Sequence, residues 1–235
     1  MKKTILLFLL LAFMKINAQT ADEIIQKYAN AMGSLDNFKK IKTAKLTGIA
    51  NAQGNEFPIT VQIINGKAMR TDVEVMGQTV VNCYKDEKGW KINPFAGVPT
   101  ATDVTGEELN EFKNQSFLAS QLMDYKARGY TAELLGQENV DSVKAYKIKL
   151  TTEGDKMDTY YIDASTSMLI KFVGARNLMG QDMEVETYFS DVKDFGNLKF
   201  SMSRIVKTGG QTIQEVHFDK MELDVPIDEK IFDKS

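Results

Sequence analysis

The sequence predicts a mainly β (α+β) protein: a single strongly curved antiparallel sheet forming an open half-barrel, with an N-terminal helix and short lid helices on the concave face. Three observations predict it. Outside two helical segments, nearly all of the chain alternates apolar and polar residues with the period of a strand. Short turns such as "NGK", "TEGD" and "KTGG" join the alternating stretches and make neighbours antiparallel. About twelve strands in one layer curl rather than lie flat, and the two helical segments can cover one apolar face. A two-sheet sandwich is the rival architecture.

Residues 1–18, "MKKTILLFLLLAFMKINA", set Lys2 and Lys3 before an apolar run from Ile5 to Met14, with a small residue at Ala18. That is the form of a cleaved secretory leader. A run of about ten residues is too short for a membrane span, which needs roughly 20. The expected product is a soluble periplasmic chain beginning at Gln19, with 19–235 as one domain. Thr20 and Glu23 form a capping box before Ile24, Tyr28, Met32 and Leu35, which are spaced for a helix; Gly33 and "LDN" mark its end.

Five strands are expected next. "EFPITVQII" puts Ile59 and Val61 on one face, "KAMRTDVEV" does the same for Met69, Val73 and Val75, and "QTVVNCY" and "KGWKIN" make a further hairpin. Thr105 and Glu108 repeat the capping device. Leu109, Phe112, Leu118, Leu122 and Tyr125 then fit two short helices with a break near Asn114, the lid. About seven strands follow, from "YTAELLG" to "QTIQEVHFD". In "YYIDASTSMLIKF", Met168, Leu169 and Ile170 stand in a row, so both faces of that strand are apolar. Such a strand suits a half-barrel where one face meets the lid and the other a terminal segment.

Composition excludes several functions. Losing Lys2, Lys3 and Lys15 with the leader leaves 26 basic against 32 acidic residues, which argues against a nucleic-acid partner. Cys83 is the single cysteine, so no internal disulfide forms, and in a strand it reads as a small core filler. His217, the single histidine, shares a polar face with Glu215 and Asp219 and reads as a solvated strand residue. Zinc ligand sets, G-x-S-x-G and H-E-x-x-H are missing, and the glycine turns join strands instead of opening helices. Neither an enzyme nor a cofactor is expected. Of the 12 methionines, all but Met1 and Met14 follow the leader. Methionine adapts to varied apolar partners. The alternation turns Ile59, Val61, Met69, Val73, Val75, Trp90, Met183 and Met202 inward, with Leu118 and Leu122 of the lid, around an apolar cavity.

The stretch from "ITVQIINGKAMR" to "TGEELNEF" resembles the periplasmic lipoprotein carriers of Gram-negative envelopes, the LolA-like group. The likeness is carried by a hairpin, two further strands and the end formed by Gly89, Trp90, Asn93, Pro94 and Phe95, followed by lid helices. "YYIDASTSMLIKF" and "MELDVPIDEKIF" resemble the group's later strands and C-terminal segment. The resemblance implies a half-barrel that holds lipoprotein acyl chains or another apolar ligand in transit. Membrane-bound donor and acceptor proteins would be its partners, and the carrier would be a monomer. It also implies an arginine latch for the lid near the first long hairpin turn, where this chain has Asn65 and Gly66.

Two rivals remain. A scaffold of the same fold in envelope assembly has a closed core and an exposed apolar patch. A secreted carboxylate-dependent hydrolase has carboxylates converging in a cleft with shifted pKa values.

Overall fold

The computed structural model describes residues 19–178 and 181–234. The expected leader, 1–18, lies outside the described residues. The capping box at Thr20 forms: the Thr20 hydroxyl accepts from the Glu23 N–H at 3.2 Å, and the Thr20 N–H donates to Glu23 at 3.1 Å. It opens α1, Ala21–Ala31. A second helix, α2 (Leu35–Lys40), stands where "LDN" reads as a stop. Six mostly polar residues carry no helical stripe, but Phe38 is buried and its ring meets Phe200 edge-on at 5.2 Å. Gly33 makes the turn between the helices. A side chain there would lie 2.0 Å from the Asn197 carbonyl, and its φ of +109° favours glycine.

Six strands follow: β1 (Thr43–Ala52), β2 (Asn55–Ile64), β3 (Ala68–Val75), β4 (Gln78–Lys85), β5 (Lys88–Asn93) and β6 (Val98–Val104). α3 (Gly106–Gln115) comes next. Seven more strands complete the chain: β7 (Thr131–Val140), β8 (Val143–Thr151), β9 (Met157–Asp163), β10 (Leu169–Leu178), β11 (Gln181–Phe195), β12 (Leu198–Thr208) and β13 (Gln211–Leu223). All thirteen form one antiparallel sheet in the order β6-β5-β4-β3-β2-β1-β13-β12-β11-β10-β9-β8-β7. The edges β6 and β7 are not paired to each other, so the sheet is an open half-barrel and not a sandwich. Bulges at Thr47/Gly48, Leu169/Lys171 and Val206/Lys207 add local twist.

One strand more than expected precedes α3. The sequence "VPTATDV" of β6 is small, polar and largely exposed, and its Pro99 is tolerated because an edge strand has a free side. The lid also differs. Thr105 makes no side-chain cap, and the helix ends at Gln115. From Phe117 to Gly129 the chain makes turns, so Leu118, Leu122 and Tyr125 are helically spaced without a helix.

The topology explains why a lid exists. β6 and β7 are consecutive in sequence yet sit at opposite edges of the sheet, so the chain between them must cross the concave side. Two clusters fill that side. One joins Ile24, Tyr28 and Phe38 to Leu122, Met123 and Tyr125 of the crossing segment and to Ile148, Leu150, Tyr160 and Ile162 of the sheet. The other joins Ile59, Ile63, Met69 and Tyr84 to Phe112 of α3 and to Met202, Val216 and Phe218. On the convex side, Ala68, Val81, Cys83 and Trp90 are covered by Phe232 and Ile231 of the C-terminal segment. Burial pushes the Cys83 thiol up to about 12, so it is a core filler and not a reactive group.

The terminal segment therefore covers β3–β5 and not the doubly apolar strand β10. There Leu169 faces the concave side, while Ile170 packs with Val140, Ala145 and Tyr161 on the convex side. This small patch is screened by cations lying over rings. Lys147 and Lys171 each stand 5.4 Å from the Tyr161 ring, and Lys171 and Lys207 stand 5.0 and 4.8 Å from that of Tyr188.

Candidate functional site

Between the crossing segment and the inner faces of β9–β12 lies a cavity of about 1020 Å³. Tyr28, Met32 and Phe38 wall it from the helices, Phe117, Leu118 and Met123 from the lid, and Tyr160, Leu169, Phe172 and Phe200 from the sheet. The rings lock one another: Tyr160 meets Phe172 edge-on at 5.1 Å, and Phe195 meets Phe200 at 5.7 Å. No helix among the described residues is long and apolar enough to cross a membrane.

One end of the cavity is polar. It is lined by Glu107, Asn110 and Glu111 of α3 and by Lys156, Asp158 and Arg176 of the sheet. Arg176 Nε donates to Glu111 at 2.9 Å, Lys156 pairs with Glu107, and the Arg176 guanidinium lies over Phe172 at 5.3 Å. These contacts tie α3 to β9 and β10. Burial raises the Glu111 carboxyl above its ordinary range, and Arg176 and Lys156 only partly oppose it. Burial raises Asp158 likewise, against the same two cations.

A second tether lies where the resemblance implies an arginine. The Asn65 amide donates to the Phe38 and Ile41 carbonyls, at 2.9 Å each, and its oxygen accepts from the Leu118 N–H at 3.1 Å. Gly66 N–H donates to the Ser116 carbonyl at 2.8 Å. A neutral side chain thus joins the β2–β3 turn to both α2 and the lid.

The ten residues read as cavity-lining are not together. Leu118 lines the cavity. Leu122 is fully buried, at 0% exposure, in the packed cluster with the N-terminal helices. Ile59, Val61, Met69, Val73 and Met202 face the concave side but pack among themselves and against α3. By register Val75 shares their face, nearer the strand end. Met183 pairs with Arg176 at the rim and is 37% exposed. Trp90 is on the convex face, donating to the Phe232 carbonyl at 3.0 Å, so its emission does not report the cavity.

Sequence reasoning missed the aromatic wall and the polar end. A signal was present: an ionisable residue in phase with an apolar face. Asp158 alternates with Tyr160 and Ile162, Arg176 with Gly174 and Phe172, and Arg204 with Met202. Arg204 Nε is buried without a hydrogen-bond partner, and burial lowers the pKa of its guanidinium.

Two other arrangements do not build a site. Ser203 Oγ lies 2.7 Å from His217 Nδ1, but His217 is half exposed on a sheet face and its nearest carboxylate, Asp219, is 3.6 Å away. No group of three or more His, Cys, Asp or Glu among the described residues is placed to hold a metal.

A LolA superfamily protein from Nitrosomonas europaea has a similar structure over 92% of this chain and 99% of that one, with 14% identity and a TM-score of 0.58. The fold is LolA-like. A putative outer membrane lipoprotein-sorting protein domain from Vibrio parahaemolyticus is similar over 91% of this chain and 97% of that one, with 11% identity and a TM-score of 0.59. A DUF1329 family protein from Desulfovibrio piger, 14% identical, covers 92% of this chain and 98% of its own, with a TM-score of 0.58. No family model matches the chain, and no curated protein matches it. What is shared at this identity is the LolA-like fold.

Proposed function

We propose that the protein is a non-enzymatic periplasmic carrier that holds the acyl chains of a lipoprotein or another lipid during outer-membrane lipoprotein sorting. The observation that carries this reading is the aromatic-walled cavity beneath the lid of a LolA-like half-barrel. A filled scaffold core has no need of such a space, whereas an acyl chain needs an apolar sleeve. Ion pairs at the surface are worth about 0–1 kcal/mol each, so Lys113–Glu87 at 2.8 Å and Lys91–Glu108 at 2.7 Å hold the lid without locking it.

The expected result is that a neutral solvatochromic dye shifts to the blue on binding and is displaced by dodecanol. Phe172→Ala should weaken dye binding about tenfold, since burying one such side chain is worth roughly 1.5–3 kcal/mol. A dye signal that stays at its buffer value at saturation sinks the carrier reading. Export is tested separately: N-terminal sequencing of the secreted protein should begin at Gln19, and a membrane-bound product retaining Met1 would contradict it.

One observation favours the hydrolase. Asp158 and Glu111 line one cavity and both have raised pKa values, as an acid pair would. Arg176 stands between them, 2.9 Å from Glu111 and 3.8 Å from Asp158. A guanidinium so placed opposes that rise in both groups, which works against a general acid, and the carrier remains our reading.

A further inference from the structure

The polar end of the cavity contains an acceptor that the protein leaves unused. Asp158 is 4% exposed, lines the cavity, and its Oδ1 is buried without a hydrogen-bond partner. The nearest cationic atom, Arg176 Nη1, is 3.8 Å away, beyond hydrogen-bonding distance. That nitrogen already donates to the Ala175 carbonyl at 2.7 Å, and Arg176 Nε donates to Glu111. The facing strand makes room for this carboxylate by carrying no side chain opposite it. Gly174 stands opposite Asp158, and a Cβ there would come within 2.4 Å of Oδ1. An unpaired buried acceptor is costly and is normally satisfied.

We propose that Asp158 receives an N–H or O–H donor on the head of the carried amphiphile, so that the cavity accepts hydroxyl, amide or ammonium heads and disfavours carboxylate or phosphate heads. The proposal rests on the carrier reading and adds the chemistry of the head. Among the described residues that line the cavity, no cation is spare for an anionic head. Each basic residue lining it is already paired: Lys113 with Glu87, Arg128 with Asp124, Lys156 with Glu107, and Arg176 with Glu111. Asp158 then shares a guanidinium already bonded to Glu111 and is left with one buried oxygen unbonded. A head placed against it puts the tail on the adjacent rung of the sheet, where Tyr160 and Phe172 begin the aromatic wall. Burial raises the Asp158 carboxyl, and a donor delivered to Oδ1 would oppose that shift by stabilising the anion.

The test uses the protein from Gln19 onward and three single-chain probes of equal length, dodecanol, dodecylamine and dodecanoate, titrated below their aggregation limits by calorimetry and by displacement of the neutral dye. Dodecanol and dodecylamine are expected to bind at least about tenfold more tightly than dodecanoate, the advantage of a hydrogen bond to a charged group over a repelled one. The alcohol arm excludes a mere attraction of cations to an acidic protein. Asp158→Asn is expected to weaken dodecylamine about tenfold, to strengthen dodecanoate and to leave dodecanol within about threefold, because the amide still accepts but carries no charge. If dodecanoate binds wild type as tightly as the other two, the head assignment is overturned while the carrier reading stands. If neither dye nor any probe binds, the carrier reading fails and takes this proposal with it. The wild-type series decides the matter even if the variant does not fold.

Discussion

Leu122→Ala is expected to cost about 2–5 kcal/mol in denaturant unfolding, the full price of a core truncation. Leu122 is completely buried among Ile24, Tyr28 and Ile148, so removing its side chain leaves a void between the crossing segment, α1 and the sheet. Leu118→Ala should behave differently. Leu118 is half-buried, lines the cavity, and has its backbone held by Asn65 whatever its side chain. Its truncation should cost clearly less stability and should weaken binding of the neutral dye. The pair separates the part of the crossing segment that is structural from the part that roofs the cavity. Equal losses of stability with unchanged dye affinity in both variants would show that the whole segment is ordinary core.

Phe232→Ala is expected to cost about 3–5 kcal/mol, with a red shift of Trp90 emission. The Phe232 side chain is 1% exposed on the convex face against Cys83 and Trp90, and its backbone carbonyl accepts from the indole of Trp90. Ile231 and Ile227 continue the same cover, and the Arg70 guanidinium donates to the Ile231 carbonyl at 2.6 Å. Losing the ring would wet the indole and loosen the terminal segment, while dye affinity in the cavity should hold. A stable variant with unchanged emission would show that this segment is only loosely applied.

These two sites also mark what the sequence could reveal. Alternation made the sheet legible because a half-buried strand repeats every two residues, and "YYIDASTSMLIKF" was readable as a hairpin for that reason. Alternation does not say which face is concave. On β4 and β5 both faces are apolar, since Tyr84 packs toward α3 and Cys83 and Trp90 pack under the terminal segment. Alternation therefore turns Trp90 inward, whereas the tertiary cover places it on the convex face, a one-residue difference in phase. The second half of the lid forms turns and not a helix for a related reason. Leu118, Leu122 and Tyr125 fall at helical intervals, but the Leu118 N–H goes to Asn65, a partner 53 residues away that no local pattern announces. The residues of the cavity come from α1, α2, α3, the turns that follow it and β9–β12. Their encounter depends on the crossing of the chain and not on any motif.

The first and last strands meet at the middle of the sheet, where β1 pairs with β13, and its two outer margins are joined by one passage of chain, from β6 through α3 to β7. The molecule is strung like a bow. The sheet is the stave, gripped at its centre where the first and last strands pair, and the passage over the hollow is the string. A string fastened at both tips cannot swing aside as a flap does; it can only slacken or draw tight. The room beneath it is then governed by how far one length of backbone yields, while the limbs of the bow keep their pairing throughout.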